Sequence, residues 1–190
     1  VGSEMCIRDR VYRKGDRIIE FVLGDKDCVN VYDLNTLEQL TVIPRCKYKS
    51  EYGSRYIEVV ASVNGRIRRT FFDLEKCELV FEGDVEELID NNFVHLQRYN
   101  TTYIYNRRTR KIHDLQISAQ YVELVYASDD SGLLVFTAKA RPADTSLLFM
   151  IDVTVDVLVR VPLKAKINSV TVARALYEER VLEQTSEISI

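Results

Sequence analysis

The 190-residue sequence has no tryptophan, only two histidines and only seven glycines, and it contains no long apolar run. The glycines stand singly at turn-like positions, so neither G-x-x-x-x-G-K nor G-x-S-x-G occurs and no phosphate-cradling loop or nucleophile elbow is read. His95 and His113 have no Cys or carboxylate at ligand spacing beside them, such as His-x-x-x-His, so no metal site is expected. His95 sits in the apolar stretch Phe93–Leu96 and reads as a hydrogen-bonded strand histidine. His113 adjoins Asp114, but strand neighbours point to opposite faces, which weakens a general-base reading. Carboxylate pairs such as Glu86-Glu87 and Asp129-Asp130 read as solvated turns, so no catalytic residue and no cofactor are expected. No stretch approaches the roughly 18 consecutive apolar residues of a membrane-spanning helix, and no membrane partner is expected.

Hydrophobic residues at 46% and charged residues at 29%, with a net charge of -3, mark a globular body without a global attraction to nucleic acid. Short runs rich in Val, Ile, Phe and Tyr, punctuated by Gly, Asn and Asp, dominate from Arg17 to about Val172 and read as strands. One hairpin recurs four times: an apolar strand, an Asp or Asn at its end, a short polar turn and a second strand. The copies begin at Val31, Phe71, Ile104 and Met150, with Asp33, Asp73, Asn106 and Asp152 as turn anchors separated by 40, 33 and 46 positions. A short side-chain oxygen in that slot accepts hydrogen bonds from backbone N–H groups just beyond it. The spacing brackets the roughly 40 to 45 residues of a four-stranded propeller blade.

A strand precedes each hairpin, at Arg17–Leu23, Tyr56–Val63, Phe93–Tyr99 and Leu133–Ala138. A fourth is drawn from Tyr121–Tyr126 and from Ile167–Ala173, the latter able to close a small ring by pairing with the first unit. Asn64-Gly65 predicts a two-residue hairpin, Asp130-Ser131-Gly132 a comparable turn, and Arg141–Thr145 an exposed tip. Asp84–Asp90 is compatible with a turn and a half of helix serving as a blade connection. Arg174–Glu183 is compatible with a helix, and Gln184–Ile190 reads as a strand or a frayed end.

At the hairpins the chain resembles the WD and YVTN propeller repeats, through Tyr32-Asp33, Phe72-Asp73, Tyr105-Asn106 and Ile151-Asp152 at the Trp-Asp position. Without Trp and without a Gly-His pair ahead of each unit, the Asp-His-Ser/Thr-Trp network of true WD repeats is not expected. The resemblance covers residues 15–173 and implies an all-β, antiparallel propeller-type repeat of about four blade-like units; a β-sandwich is the alternative. Residues 1–10 (VGSEMCIRDR) resemble a translated sequencing adaptor, which implies that the frame enters the protein midway and that the chain is a piece of a larger ring. The expected organisation is a non-native segment over 1–10, a repeat domain over 11–176 and a tail over 177–190. Of the remaining cysteines, Cys28, Cys46 and Cys77, none forms a C-x-x-C pair, which favours buried thiols in a reducing compartment and a cytoplasmic setting.

The local charge feature is basic. Arg107, Arg108, Arg110 and Lys111 fill the third hairpin turn after Tyr103 and Tyr105, and Arg66, Arg68 and Arg69 lie one unit earlier. Together they form a candidate binding patch for an acidic protein segment or nucleic acid, or else edge charges that block aggregation. The expected function is a non-catalytic protein-interaction scaffold. The alternatives are an enzyme or small-ligand propeller with its site in further blades, and binding of nucleic acid or an acidic partner through Arg107–Lys111.

Overall fold

Four times a strand ends on Asp or Asn and turns back, and the side chain of that residue organises the turn. In the computed structural model, which describes residues 10–162 and 164–188, Asp33 Oδ1 accepts the N–H groups of Asn35 and Thr36 at 2.8 and 3.0 Å. Asp73 Oδ1 accepts those of Glu75 and Lys76, Asn106 Oδ1 those of Arg108 and Thr109, and Asp152 Oδ1 those of Thr154 and Val155. The residue four positions beyond each anchor, Leu37, Cys77, Arg110 or Asp156, has a φ between 53° and 62°. Left-handed backbone is uncommon for such residues, and the two N–H groups held by each anchor offset its cost.

These turns sit inside four antiparallel sheets, each taking its four strands in chain order. The first holds β1 (Arg10–Lys14), β2 (Arg17–Val22), β3 (Cys28–Asp33) and β4 (Gln39–Pro44); the second holds β5 (Lys47–Tyr52), β6 (Tyr56–Val63), β7 (Arg66–Asp73) and β8 (Glu78–Leu79). The third holds β9 (Glu87–Leu88), β10 (Phe93–Arg98), β11 (Thr101–Asn106) and β12 (Ile112–Asp114). In the fourth, β13 (Tyr121–Tyr126) leads through a single turn of helix, α1 (Ser128–Ser131), into β14 (Leu133–Lys139), β15 (Leu147–Asp152) and β16 (Leu158–Val161). No described strand crosses from one sheet to another, as sandwich connections require, and the fold is all-β of the propeller type with four blade-like sheets. The chain divides into two compact units, Val1–Val85 and Glu86–Ile190, with two sheets each.

In the first unit, alternate residues of β2 and β3 (Ile19, Phe21, Val29 and Val31) pack against Ile57, Val59, Phe72 and Leu74 of the second sheet. The period of two puts Glu20, Asn30 and Tyr32 on the other face of the first sheet, where Asn30 Nδ2 and Tyr32 OH both donate to Glu20 Oε2 at 2.9 and 2.7 Å. Asn64 and Gly65 both have positive φ (51° and 74°) and close β6 onto β7, the backbone a two-residue I′ turn demands.

In the second unit, Phe93 and Ile104 of the third sheet meet Leu134, Phe136, Phe149 and Ile151 of the fourth. The opposite face of the fourth sheet, lined by Leu133, Val135, Met150, Val159 and Val161, is covered by Ala173 and Tyr177 of α2 (Val170–Ile188). Arg174 pairs with Asp152 Oδ2, and Tyr177 OH donates to Val157 O at 2.8 Å.

Several expectations need correction. Ile167–Ala173 is not a strand and closes no ring: Ser169 Oγ accepts the Val172 N–H at 3.3 Å, and α2 starts at Val170 despite three consecutive β-branched residues. The helix continues through residues 184–188. Asp84–Asp90 contains β9 instead of a helical turn, and Asp130-Ser131-Gly132 is the end of α1, with Gly132 left-handed at φ 65°. The leading strand of each sheet is β1, β5, β9 or β13, so the first two units gain strands ahead of Arg17 and Tyr56. Arg10 opens β1, while residues 1–9 of the adaptor-like segment lie outside the described residues.

A buried hydrogen-bond network centres on Asp156. Buried Asp156 accepts from Asn106 Nδ2 (2.8 Å) and from Thr109 Oγ1, and its Oδ1 lies 2.6 Å from His113 Nε2. Lys111 Nζ donates to its carbonyl at 3.0 Å. These bonds join the third and fourth sheets. Burial acts to raise the Asp156 pKa, but the bonds from Thr109, Asn106 and His113 outweigh it and hold the carboxyl below its ordinary range.

The anchors differ in burial, and their substitutions should differ accordingly. Asp73 is 0% exposed and holds Arg55 through two bonds of 2.9 and 2.8 Å, so Asp73→Ala is expected to cost about 3 kcal/mol by urea unfolding. The more exposed Asp33→Ala should cost about 1 kcal/mol. Asn106→Asp places a second carboxylate against Asp156 and should destabilise by about 3 kcal/mol at pH 7 but clearly less near pH 4. Equal losses at the two pH values would show that the charges do not meet.

Candidate functional site

In an antiparallel meander the β2–β3, β4–β5 and β6–β7 connections gather at the end of the strands away from the anchored turns. In the first unit they enclose an open groove of about 560 Å³, a volume typical of ligand and peptide sites. Its floor is Val60, Ala61, Ser62 and Ile67, and its rim carries Lys26, Arg45 and Lys47 against Asp25 and Asp27. Ile67 is 77% exposed on the hairpin, while its exposed strand neighbours Arg66 and Arg68 alternate to the other face and do not line the groove.

Part of the rim is fixed. Asp27 Oδ1 accepts the Gly24 N–H at 3.1 Å, and its Oδ2 pairs with Lys47 at 3.3 Å. The Gly24 bond, helped by the Lys47 charge, holds the Asp27 carboxyl below the usual range. At the back of the groove Cys46 is buried and donates through Sγ to Ile43 O at 3.2 Å. Burial pushes its thiol up to about 12, so it stays protonated and unreactive. A smaller hollow near the anchored turns holds Lys14, Arg17 and Arg55, but Lys14 pairs with Glu51, Arg17 with Asp33, and Arg55 with Asp73 and Glu75. No comparable charge is left there to meet a ligand.

The basic residues singled out in the sequence divide between the units. Arg66, Arg68 and Arg69 belong to the first; Tyr103, Tyr105, Arg107, Arg108, Arg110 and Lys111 belong to the second. Arg69 is half-buried, 2.9 Å from Glu58 and stacked 5.2 Å from the Phe71 ring centroid. Burial works to raise Glu58, yet bonds from Lys49 and Ser50 and the charge of Arg69 leave its pKa lowered. Arg107 is not on the exposed hairpin surface: it is 9% exposed and donates to Asn91 O at 2.8 Å. Tyr103 and Tyr105 are half-buried, and Arg108 and Arg110 are exposed. Lys111 is committed to the Asp156 carbonyl.

Neither histidine faces solvent. His113 points to Asp156 while Asp114 lies exposed on the other face, accepting the Gln116 N–H at 2.7 Å. His95 is 3% exposed in β10 and is hydrogen-bonded by Gln97, as expected of a strand histidine, while its Nε2 has no hydrogen-bond partner among the described residues. No cluster of three or more His, Cys, Asp or Glu suited to a metal ion occurs among the described residues. The groove cations Lys26, Arg45 and Lys47 carry no local sequence signal, because two separate connections, β2–β3 and β4–β5, bring them together.

Burial lowers the His95 pKa from 6.5 to about 4, against a raising hydrogen bond with Gln97. Between these values the unfolded chain takes up a proton that the folded chain refuses. Stability is therefore full above pH 6.5 and falls as the pH drops toward 4, by about 3 kcal/mol from this group. Denaturant titrations at pH 7 and pH 4.5 should show the fall, and His95→Gln should remove most of that difference.

No family model matches the chain, and no curated protein matches it. Among solved structures it is similar to TolB from Acinetobacter baumannii, at 12% identity and a TM-score of 0.34, over 80% of this chain and 43% of that one. It is also similar to oligopeptidase B from Leishmania major, at 11% identity and a TM-score of 0.33, over 87% of this chain and 28% of that one. The chain thus spans less than half the length of either protein.

Proposed function

We propose that the chain is a non-catalytic protein-interaction module of propeller type that takes an acidic segment of its partner into the groove of the first unit. The observation that carries this reading is the exposed Ile67, which with Val60 and Ala61 gives the groove an apolar floor beside Lys26, Arg45 and Lys47. An apolar floor rimmed by cations suits a segment with one large side chain among carboxylates. Three groups able to do acid–base or nucleophilic chemistry, His95, His113 and Cys46, are buried, which supports the same reading. An acidic protein segment is favoured over nucleic acid because no ladder of exposed aromatics accompanies the cations of this groove. No described helix is long and apolar enough to cross a membrane.

A photo-crosslinking side chain placed at Ile67 tests the proposal in a cell extract. A discrete adduct is expected, reduced at least about tenfold by Lys26→Glu with Arg45→Glu, and weakened by salt as screening predicts. The same adduct pattern from a control position on α2 such as Leu182, which is 70% exposed, would sink it.

A further inference from the structure

Every sheet ends on strands whose outer backbone groups have no neighbouring strand, and this chain protects those edges in a regular way, with one exception. The fourth strands β8, β12 and β16 are two, three and four residues long. Each carries a charged or titratable residue: Glu78, His113 with Asp114, or Arg160. The Arg160 carbonyl is in addition taken by Arg180 of α2 at 3.2 Å. The leading strands carry charges too, from Arg10, Arg13 and Lys14 in β1 to Glu123 in β13. Short length and charge are the devices that keep sheet edges from pairing with other chains.

β4 has neither. It runs six residues, Gln39-Leu40-Thr41-Val42-Ile43-Pro44, without a charge, and Leu40 and Val42 are 40% and 46% exposed. Among the described residues it is the one edge strand with no charged side chain, and no described strand pairs along its outer side. Charges stand only at its two ends, Glu38 before it and Arg45 after it, both exposed and neither with a side-chain partner among the described residues.

We infer that β4 pairs antiparallel with β4 of a second copy of this chain, joining the two first sheets into one continuous eight-stranded sheet. The antiparallel sense brings Glu38 of each copy to the end of the strand where Arg45 of the other stands, so both ends attract, whereas a parallel pairing sets like charges together. The uncharged middle lets Leu40 and Val42 meet their counterparts without repulsion. Each described chain carries one such edge, so a two-fold arrangement uses both and stops at two copies. A single strand pair makes a small interface, and the expected dissociation constant is on the order of 10 μM.

Sedimentation velocity of the full chain over about 1 to 200 μM reads this directly. The native sequence should shift from monomer to dimer. Val42→Lys, whose side chain is already half in water, should stay monomeric with an unchanged thermal midpoint. Glu38→Arg should weaken the dimer at least about tenfold, and the swap Glu38→Arg with Arg45→Glu should restore it. A native chain that stays monomeric throughout overturns the inference. So does a dimer indifferent to Val42→Lys, a Glu38→Arg defect that the swap leaves unrepaired, or a monomer that instead binds a synthetic peptide of the β4 sequence, which would make the occupant of the edge an extended peptide.

Discussion

A carboxylate or amide oxygen that accepts two backbone N–H groups is the contact on which each sheet depends. At Asp33, Asp73, Asn106 and Asp152 it turns the third strand into the fourth and holds a left-handed residue four positions on. The remaining side-chain atoms are then free for tertiary work, and each anchor uses them differently. Asp33 and Asp73 bind arginines of their own sheets, Arg17 and Arg55, and Asp152 binds Arg174 of α2. Asn106 reaches instead to Asp156. An amide suits that third position because it can accept at the turn and donate to a buried carboxylate at once, which a second carboxylate cannot do.

The repeat and the all-β propeller-type class are legible because they rest on local chemistry: alternation of Val, Ile and Phe, Asn-Gly at a hairpin, and a short polar turn recurring at intervals of 40, 33 and 46 residues. The leading strands β1 and β5 are less so. RVYRK and KYKSEY put charges where a half-buried strand would carry apolar residues, since both lie at the rim of their sheets. The run Val170-Thr171-Val172 reads as a strand on propensity alone, yet the Ser169 cap and the contacts of Ala173 and Tyr177 with the fourth sheet decide for helix.

The candidate groove shows the same division. Arg66 and Arg68 stand out as a cluster yet do not line the groove, whereas Arg45 and Lys47 enter it because β4 and β5 are joined at the end where the β6–β7 hairpin also lies. Arg107 illustrates the opposite error. Its place in a run of four cations suggests a surface patch, whereas the structure spends its guanidinium on the Asn91 carbonyl. Counting charges along a hairpin overstates its surface charge when one side chain turns inward to satisfy a backbone acceptor.

The outward faces of the first and fourth sheets solve one problem by two routes. On the first sheet Glu20, Asn30 and Tyr32 interrupt the apolar surface with a hydrogen-bonded polar group. On the fourth the surface stays apolar and α2 lies over it. The first solution is written in individual side chains, so single substitutions can reverse it, turning a wettable face into a sticky one. The second is written in a segment, and is lost only when the helix is deleted or drawn away. Evolution could therefore convert the first sheet into an internal one by point changes, whereas converting the fourth requires a rearrangement of the chain.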